Sequence, residues 1–354
     1  MNTAIKILLL PFSIIYYAVV SIRNFAYANG ILKSTSYPFP NIVIGNLSVG
    51  GTGKTPHVEY LIRLLHSKRS IATLSRGYGR KTKGFRIADK DDNAETLGDE
   101  PSQIKQKFPE ITVAVDENRC HGIEQLRSRE HPPDIVLLDD AFQHRRLNAG
   151  LKILLTDYSK PYVYDYVLPS GRLREPRNGA KRADIIVVTK SPAVLSPLEI
   201  RRIESLLKPA SYQKVFFSTF QYSSLIPLND LGHAQNLSLL SLNKMAVLMV
   251  TAIANPSNLE LYLRRHAKYV KALSFKDHHY FGPKDYNSMI QKLDQMLGTK
   301  KCIIVTEKDA VKMDISHFEN VPLYALPVEV KFHEHGNDFD QEIEDYVRSY
   351  TNGN

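Results

Sequence analysis

Between Ile5 and Ile22 the chain is almost continuously apolar. As a helix, about 18 residues at 1.5 Å each give roughly 27 Å, just short of the hydrocarbon thickness of a bilayer. At 100° per residue, Asn2, Lys6, Ser13, Tyr17 and Asn24 share one narrow stripe, while Leu8, Leu9, Phe12, Ile15, Val19 and Ile22 lie elsewhere. This pattern predicts a helix lying in a membrane interface with its polar edge toward water, the alternative being an apolar helix packed on the protein's own core. From Pro40 onward the pattern changes to short β-branched runs alternating with helical spacing. Runs at Ile42 to Ile44, Ile71 to Leu74, Thr112 to Val115, Ile135 to Leu138, Ile153 to Leu155, Ile185 to Val188 and Val215 to Phe220 read as strands. Val58, Leu61, Ile62 and Leu65 recur at helical spacing between the first two. Such alternation predicts βαβ units and a mostly parallel sheet with helices on both faces.

A looser Leu/Ser/Asn-rich stretch from Ser223 to Asn243 reads as the join between two domains. Beyond it the alternation resumes at Ala246 to Val250, Ile303 to Thr306 and Leu323 to Leu326, with a polar tail of helical pattern after Asn337. The expected organisation is a membrane-associated helix over 1–30, a P-loop core over 31–222 and a smaller α/β domain over 223–354. No internal repeat or low-complexity tract is visible.

Composition narrows this picture without choosing a function. The 354 residues, 43% hydrophobic and 23% charged, suffice for a sizeable core, and a net charge of +9 attracts polyanions such as nucleotides and anionic lipids. A nucleic-acid role would rest on that charge alone, since no helix-turn-helix, zinc-finger or RNA-binding signature accompanies it. Cys120 and Cys302 stand far apart, which supports neither a disulfide framework nor a zinc site. Ala26-Tyr27-Ala28 imitates a signal-peptidase site, but Arg23 interrupts the approach to it, and a motif further along needs ATP, which is cytoplasmic.

That motif is Ser48-Val49-Gly50-Gly51-Thr52-Gly53-Lys54-Thr55, set between a strand and a helix. Its glycines let backbone N–H groups converge on phosphate oxygens, Lys54 reaches the β/γ-phosphates and Thr55 can hold Mg²⁺. The usual pattern has Gly where this chain has Ser48. The apolar run ending in Asp139 and Asp140 has the form of a strand whose tip places carboxylates near the phosphate loop, for Mg²⁺ or, alternatively, for capping the next turn. Basic clusters at Ser75 to Arg80, Arg119, Gln143 to Arg146 and Gly171 to Pro176 suit phosphate recognition, although a solvated loop arginine is the commoner case. Leu97 to Pro101 and Phe275 to Tyr280 supply an acid and a histidine pair in different predicted domains. Closure could bring a carboxylate and an imidazole together as a base for a hydroxyl, while spacing alone favours a helix cap at Asp99 and a surface histidine pair.

Taken in order, these features resemble the lipid A tetraacyldisaccharide 4'-kinase family over nearly the whole chain. The resemblance is carried by the apolar N-terminal helix, Gly45-Asn46 before Ser48 to Pro56, Ser75 to Gly79, Leu97 to Pro101, Leu137 to His144, Leu168 to Pro176, Asp277-His278-His279 and Thr306 to Lys312. It implies transfer of the ATP γ-phosphoryl to the 4'-hydroxyl of tetraacyldisaccharide 1-phosphate, giving lipid IVA. It further implies ATP bound by Ser48 to Thr55, Mg²⁺ served by Thr55, Asp139 and Asp140, and Asp99 with His278 as the catalytic pair. Arg76, Arg119, Gln143 and Arg172 would meet the sugar and phosphate groups of the lipid. The implied site of action is the cytoplasmic face of the bacterial inner membrane, as a peripheral or monotopic protein. A Ser or Thr at the position of Ser48 is usual in that family, whereas Ala141 stands where its Asp-Asp-Gly-Phe-Gln run has Gly. The rival is a membrane-associated P-loop regulatory ATPase, which characteristically carries a second Lys near the start of the loop, where this chain has Val49.

Overall fold

The computed structural model describes residues 3–333 and 336–350. Its chain opens with one long helix, α1 (Thr3–Ala28). Next come β1 (Asn41–Asn46), α2 (Lys54–Leu65), β2 (Ile71–Ser75), β3 (Arg86–Ile87), α3 (Ala94–Leu97), α4 (Asp99–Lys107), β4 (Thr112–Val115) and α5 (Arg119–Arg127). β5 (Ile135–Asp139), β6 (Leu151–Asp157), β7 (Ile185–Thr189), α6 (Pro197–Leu207) and β8 (Lys214–Tyr222) complete this stretch. A second unit holds β9 (Ile226–Pro227), α7 (Asp230–Gln235), β10 (Ala246–Thr251), α8 (Ser257–His266), β11 (Tyr269–Ser274), α9 (Pro283–Asp294), β12 (Lys301–Thr306), α10 (Glu307–Ala310) and β13 (Leu323–Leu326). The last elements are β14 (Val328–Phe332) and α11 (Gly336–Ser349).

Nine strands form the larger sheet in the order β14, β8, β7, β6, β1, β5, β2, β4, β3, parallel except at its two edge pairs. Its faces are both covered. Ile42, Ile44, Ile135 and Leu137 meet Val58, Leu61 and Ile62 of α2, while Val43, Val136 and Leu138 meet Ile123 and Leu126 of α5. A strand buried on both faces has no polar alternation, which is why these runs read as continuously apolar. The smaller sheet has the order β11, β10, β12, β13, β9 and is parallel except between β9 and β13.

Three features depart from the sequence expectation. The stretch from Ser223 to Asn243, read as a loose join, is instead folded into the smaller unit: Asn229 donates to Phe318 O and Val321 O at 2.6 and 2.8 Å and accepts from Gly232 N at 2.9 Å. The expected 223–354 domain also takes in a piece that the larger unit holds, since β14 pairs with β8 and α11 buries Phe339, Ile343 and Val347 against the larger sheet. Tyr346 fixes that return by donating to Asn41 O at 3.0 Å and accepting from Asn41 N at 3.1 Å.

The third departure is α1. At 26 residues it is about 39 Å long, enough to cross a membrane by length and composition. Three of its polar side chains turn toward the protein, not water. Ser13 donates to Ser170 Oγ at 2.8 Å, Tyr16 to Arg174 O at 2.7 Å and Asn24 to Glu175 Oε2 at 3.1 Å. The apolar side is left outside, with Leu8 73% and Ile22 69% exposed, so α1 is not a core helix. Lys6 and Tyr17 of the expected stripe are exposed, and Asn2 lies outside the described residues.

Candidate active site

β1 delivers the chain to the carboxyl edge of the larger sheet, where residues 47–53 turn into α2. Gly50 and Gly53 take positive φ values of 109° and 93°. A Cβ on Gly53 would stand 2.5 Å from Phe220 Cζ, so a side chain there meets both backbone strain and a clash. The loop is braced from its neighbours: Asn46 Nδ2 donates to Thr52 Oγ1 at 2.8 Å, Thr189 Oγ1 to Thr52 O at 2.8 Å and Val49 N to Arg172 O at 2.7 Å. Lys190 donates to Gly51 O and, at 3.0 Å, to Asp157 Oδ2. No side chain caps α2. Its first N–H groups therefore face the loop as an anion cradle, reinforced by the helix dipole. Thr55 stands in the first turn of α2, and Ser48 is buried where it bridges to Leu173.

Pairing of β1 with β5 sets Ile44 opposite Asp139, which brings both acids to the same edge. Asp139 is buried, and its Oδ1 finds no hydrogen-bond partner among the described residues. Burial pushes its carboxyl up to about 7; Lys54 opposes this, while Asp140 and Glu100 add to it. An orphaned buried carboxylate oxygen beside a phosphate cradle fits a Mg²⁺ ion. No cluster of three or more His, Cys, Asp or Glu suited to a metal occurs among the described residues. Mg²⁺ is held by one or two carboxylates together with substrate phosphates, and Asp139 at the phosphate loop offers one such carboxylate. Asp140 is differently engaged. Both its oxygens accept from Arg174 Nη1, at 2.8 and 2.9 Å, and Lys54 Nζ stands 3.7 Å away. Burial would raise its carboxyl, but Lys54 and Arg174 outweigh burial and hold it below the usual range.

Asp99 opens α4 directly after Gly98, whose φ is 97° and whose missing Cβ would lie 2.9 Å from Tyr78 O. The Ser75 to Gly79 loop thus packs against the helix start that aims Asp99. From the smaller unit comes His278, itself at φ 60°, with Nδ1 2.9 Å from Asp99 Oδ2. A non-glycine residue at positive φ persists only where its surroundings hold it, and such positions cluster at functional sites. On the other side of the imidazole, Lys308 Nζ lies 3.4 Å from Nε2. Burial would raise Asp99, yet the His278 hydrogen bond, Lys312 and Lys308 hold it below the ordinary carboxylate range.

The four residues expected to meet the lipid separate into two kinds. Arg119 is buried, with Nη1 donating to Asp116 O and Glu117 O at 3.0 and 3.3 Å. Burial lowers it to about 10, and Arg76 lies close enough to lower it further. Arg119 Nε has no partner among the described residues. Arg76 is exposed at the same edge. Gln143 and Arg172 are instead engaged with the protein: the Gln143 amide donates to Asn46 O and Glu175 Oε1, and Arg172 pairs with Asp165 at 2.8 Å. The guanidinium reaching the acids is that of Arg174, which the sequence reading placed in a basic cluster but gave no role. Lys308, Asp309 and Lys312 were likewise passed over. They sit in the Thr306 to Lys312 run, which signals only by its order along the chain.

A profile of the LpxK family, tetraacyldisaccharide-1-P 4'-kinase, matches residues 5–348. The tetraacyldisaccharide 4'-kinase of Flavobacterium johnsoniae is 47% identical, covering 98% of both chains. That of Bacteroides thetaiotaomicron is 44% identical, over 97% of this chain and 93% of its own. Among solved structures, the crystal structure of LpxK from Aquifex aeolicus in complex with ATP is similar with a TM-score of 0.74 at 29% identity, covering 97% of this chain and 99% of that one.

Proposed function

Because this chain belongs to the tetraacyldisaccharide-1-P 4'-kinase family, we propose a residue-level account of how it carries out that family's reaction. The protein is an ATP-dependent 4'-kinase of lipid A biosynthesis and uses ATP with Mg²⁺. Its substrate class is the lipid A disaccharide precursor. The regulatory-ATPase reading is not favoured, since 4'-kinases match 97 to 98% of the chain and Val49 occupies the place of that class's second lysine.

In our reading, residues 48–55 cradle the nucleotide phosphates and Lys54 leaves Asp140 for the β/γ-phosphates. Thr55 and Asp139 would hold Mg²⁺, with Asp140 acting chiefly as the anchor of Arg174 and Lys54. The metal, when bound, neutralises charge on the transferring phosphoryl group. The 4'-oxygen of the sugar attacks the γ-phosphorus, the bond to the β–γ bridging oxygen breaks, and ADP leaves. The hydroxyl proton passes to the Asp99–His278 pair. A carboxylate only accepts and an ammonium only donates, so Asp99 on one side and Lys308 on the other, with Asp277 Oδ2 beyond hydrogen-bond reach at 3.9 Å from Nε2, favour the tautomer with its proton on Nδ1 and a lone pair at Nε2. We therefore assign Nε2 as the acceptor and Asp99 as the group that orients the ring. Arg76 and Arg119 are the cations left to meet the substrate's anionic groups, and Gln143 and Arg172 shape the loop walls. Closure of the smaller unit over ATP excludes water.

The apolar outer side of α1 supports contact with the bilayer. Its polar side is tied to the loop at 170–175 from Ser13 to Asn24, so we read it as a monotopic anchor and not a free span. The ATP requirement supports the cytoplasmic leaflet of the inner membrane as the one that this surface meets. The observation that carries the chemistry is the 2.9 Å Asp99–His278 contact between two units. Incubation with Mg·ATP and tetraacylated disaccharide 1-phosphate should add one phosphate by mass spectrometry. His278→Ala should slow that addition by about 10² to 10⁴-fold without loss of ATP binding. Wild-type rates in the variant would remove the pair from the mechanism.

A further inference from the structure

Lys312 lies just beyond α10, and its side chain is 0% exposed. Its ammonium stands 3.1 Å from Asp309 Oδ1 and 3.5 Å from Asp99 Oδ2, and 5.7 Å from the centre of the Phe281 ring. Asp309 cannot swing away, because its Oδ2 accepts from Ala252 N at 3.0 Å and Thr306 Oγ1 at 2.7 Å. A buried ammonium needs a countercharge, and Asp309 already supplies one from within the smaller unit. The second contact crosses to the larger unit and reaches the same oxygen that faces His278.

We propose that Lys312 is a positioning residue for phosphoryl transfer, acting through Asp99 by holding that carboxylate ionised and aimed at His278 Nδ1 when the smaller unit is seated. This rests on the reading of Asp99 and His278 as the proton-accepting pair. It explains why a fully enclosed cation is shared between the two units: an imidazole that gains a proton at Nε2 needs an anion at Nδ1, and Lys312 keeps Asp99 from taking a proton itself. The groups facing Asp99 are His278 and Tyr280 from the loop after β11, Lys308 of α10, Lys312, and Glu100 on its own helix. Lys308 is paired with Glu100 at 2.8 Å and is partly exposed, which leaves Lys312 as the enclosed cation on the carboxylate.

The test uses the full-length kinase and follows kcat, KM for ATP and the pH profile of kcat/KM for Lys312→Met, Asp99→Asn and their combination. Lys312→Met should lower kcat by about 10- to 10²-fold with KM for ATP nearly unchanged. The acidic limb of kcat/KM should move to higher pH, because Asp99 without its cation keeps its proton longer as pH rises. In the Asp99→Asn background the same change should cost nothing further, since the lysine acts only through that carboxylate. Additive losses with an unmoved limb overturn the proposal and return Lys312 to a structural role. If Lys312→Met does not fold, Asp309→Asn/Lys312→Met leaves no orphaned charge and carries the same measurements. Full activity in Asp99→Asn itself would overturn the pair and the proposal together. Inactive Asp99→Asn beside a wild-type Lys312→Met overturns the proposal alone.

Discussion

Lys54 and Asp139 are the residues whose local surroundings make the sharpest demands. Lys54 contacts Asp140 at 3.7 Å, and Arg174 still pairs with Asp140 when Lys54 is gone, so its removal leaves no acid there without a partner. Lys54→Ala should therefore abolish phosphoryl transfer while leaving the circular dichroism spectrum and melting profile near those of the parent. Asp139 and Asp140, adjacent in sequence, should behave differently. Asp139→Ala takes away the orphaned oxygen, and activity should be lost most at low Mg²⁺ and partly restored at high Mg²⁺. Asp140→Ala frees Arg174 and Lys54, and added Mg²⁺ should restore little. Equal Mg²⁺ dependence in the two variants would undo this division of roles.

Among the elements, α1 carries the clearest separable function. Seated in a bilayer, its outward apolar face would contribute membrane affinity at about 25 cal/mol per Å² buried, whereas its inward contacts are a few hydrogen bonds. Deleting residues 1–29 should leave a soluble protein that binds ATP but turns over bilayer-presented lipid poorly. Vesicle flotation with and without the segment measures the first effect, and turnover in detergent against turnover in vesicles measures the second. Loss of nucleotide binding in the truncated protein would show that α1 supports the fold. The phosphate loop gives a second element-scale expectation. Gly53→Ala forces a Cβ toward Phe220 at a positive φ, and should cost ATP affinity more than overall stability.

At the scale of the whole molecule, one buried and one partly buried histidine contribute to a pH response. Burial lowers His57 to about 4, with Lys190 adding to it and the Gly53 carbonyl opposing. Burial, then Arg119 and Arg146, lower His144 to about 4 as well. Both titrate near 6.5 when unfolded. Between those values the unfolded chain binds two histidine protons that the folded one refuses, which outweighs the single proton that folded Asp139 takes up below about 7, so stability should fall as pH drops from 6.5 toward 4. Urea midpoints measured across that window should show the decline, and His144→Gln should make it shallower. An unchanged slope in that variant would mean that His144 is not held neutral. Asp99 acts further down, since its depressed carboxyl contributes stability that is lost as pH falls below the ordinary value of 3.8.

The sequence by itself determined the parallel core and the phosphate loop, because both are local. Continuous apolar runs such as Ile135 to Leu138 report burial on two faces, and Gly50 to Thr55 report a loop whose backbone must approach phosphate. Spacing also brought the candidate acids to notice, but it could not rank Asp139 against Asp140. That ranking depends on Arg174, which arrives from another loop. The tertiary structure alone decided that 328–349 returns to the larger sheet, since Val328 to Phe332 carries no mark of its partner strand. It alone turned Ser13, Tyr16 and Asn24 of α1 inward, because the groups that satisfy them lie about 150 residues away in sequence. The meeting of Asp99, His278 and Lys312 is of the same kind. Asp99 stands 179 residues before His278 and further still before Lys312, beyond any periodicity, and only the seating of one unit against the other sets the distances on which proton transfer depends.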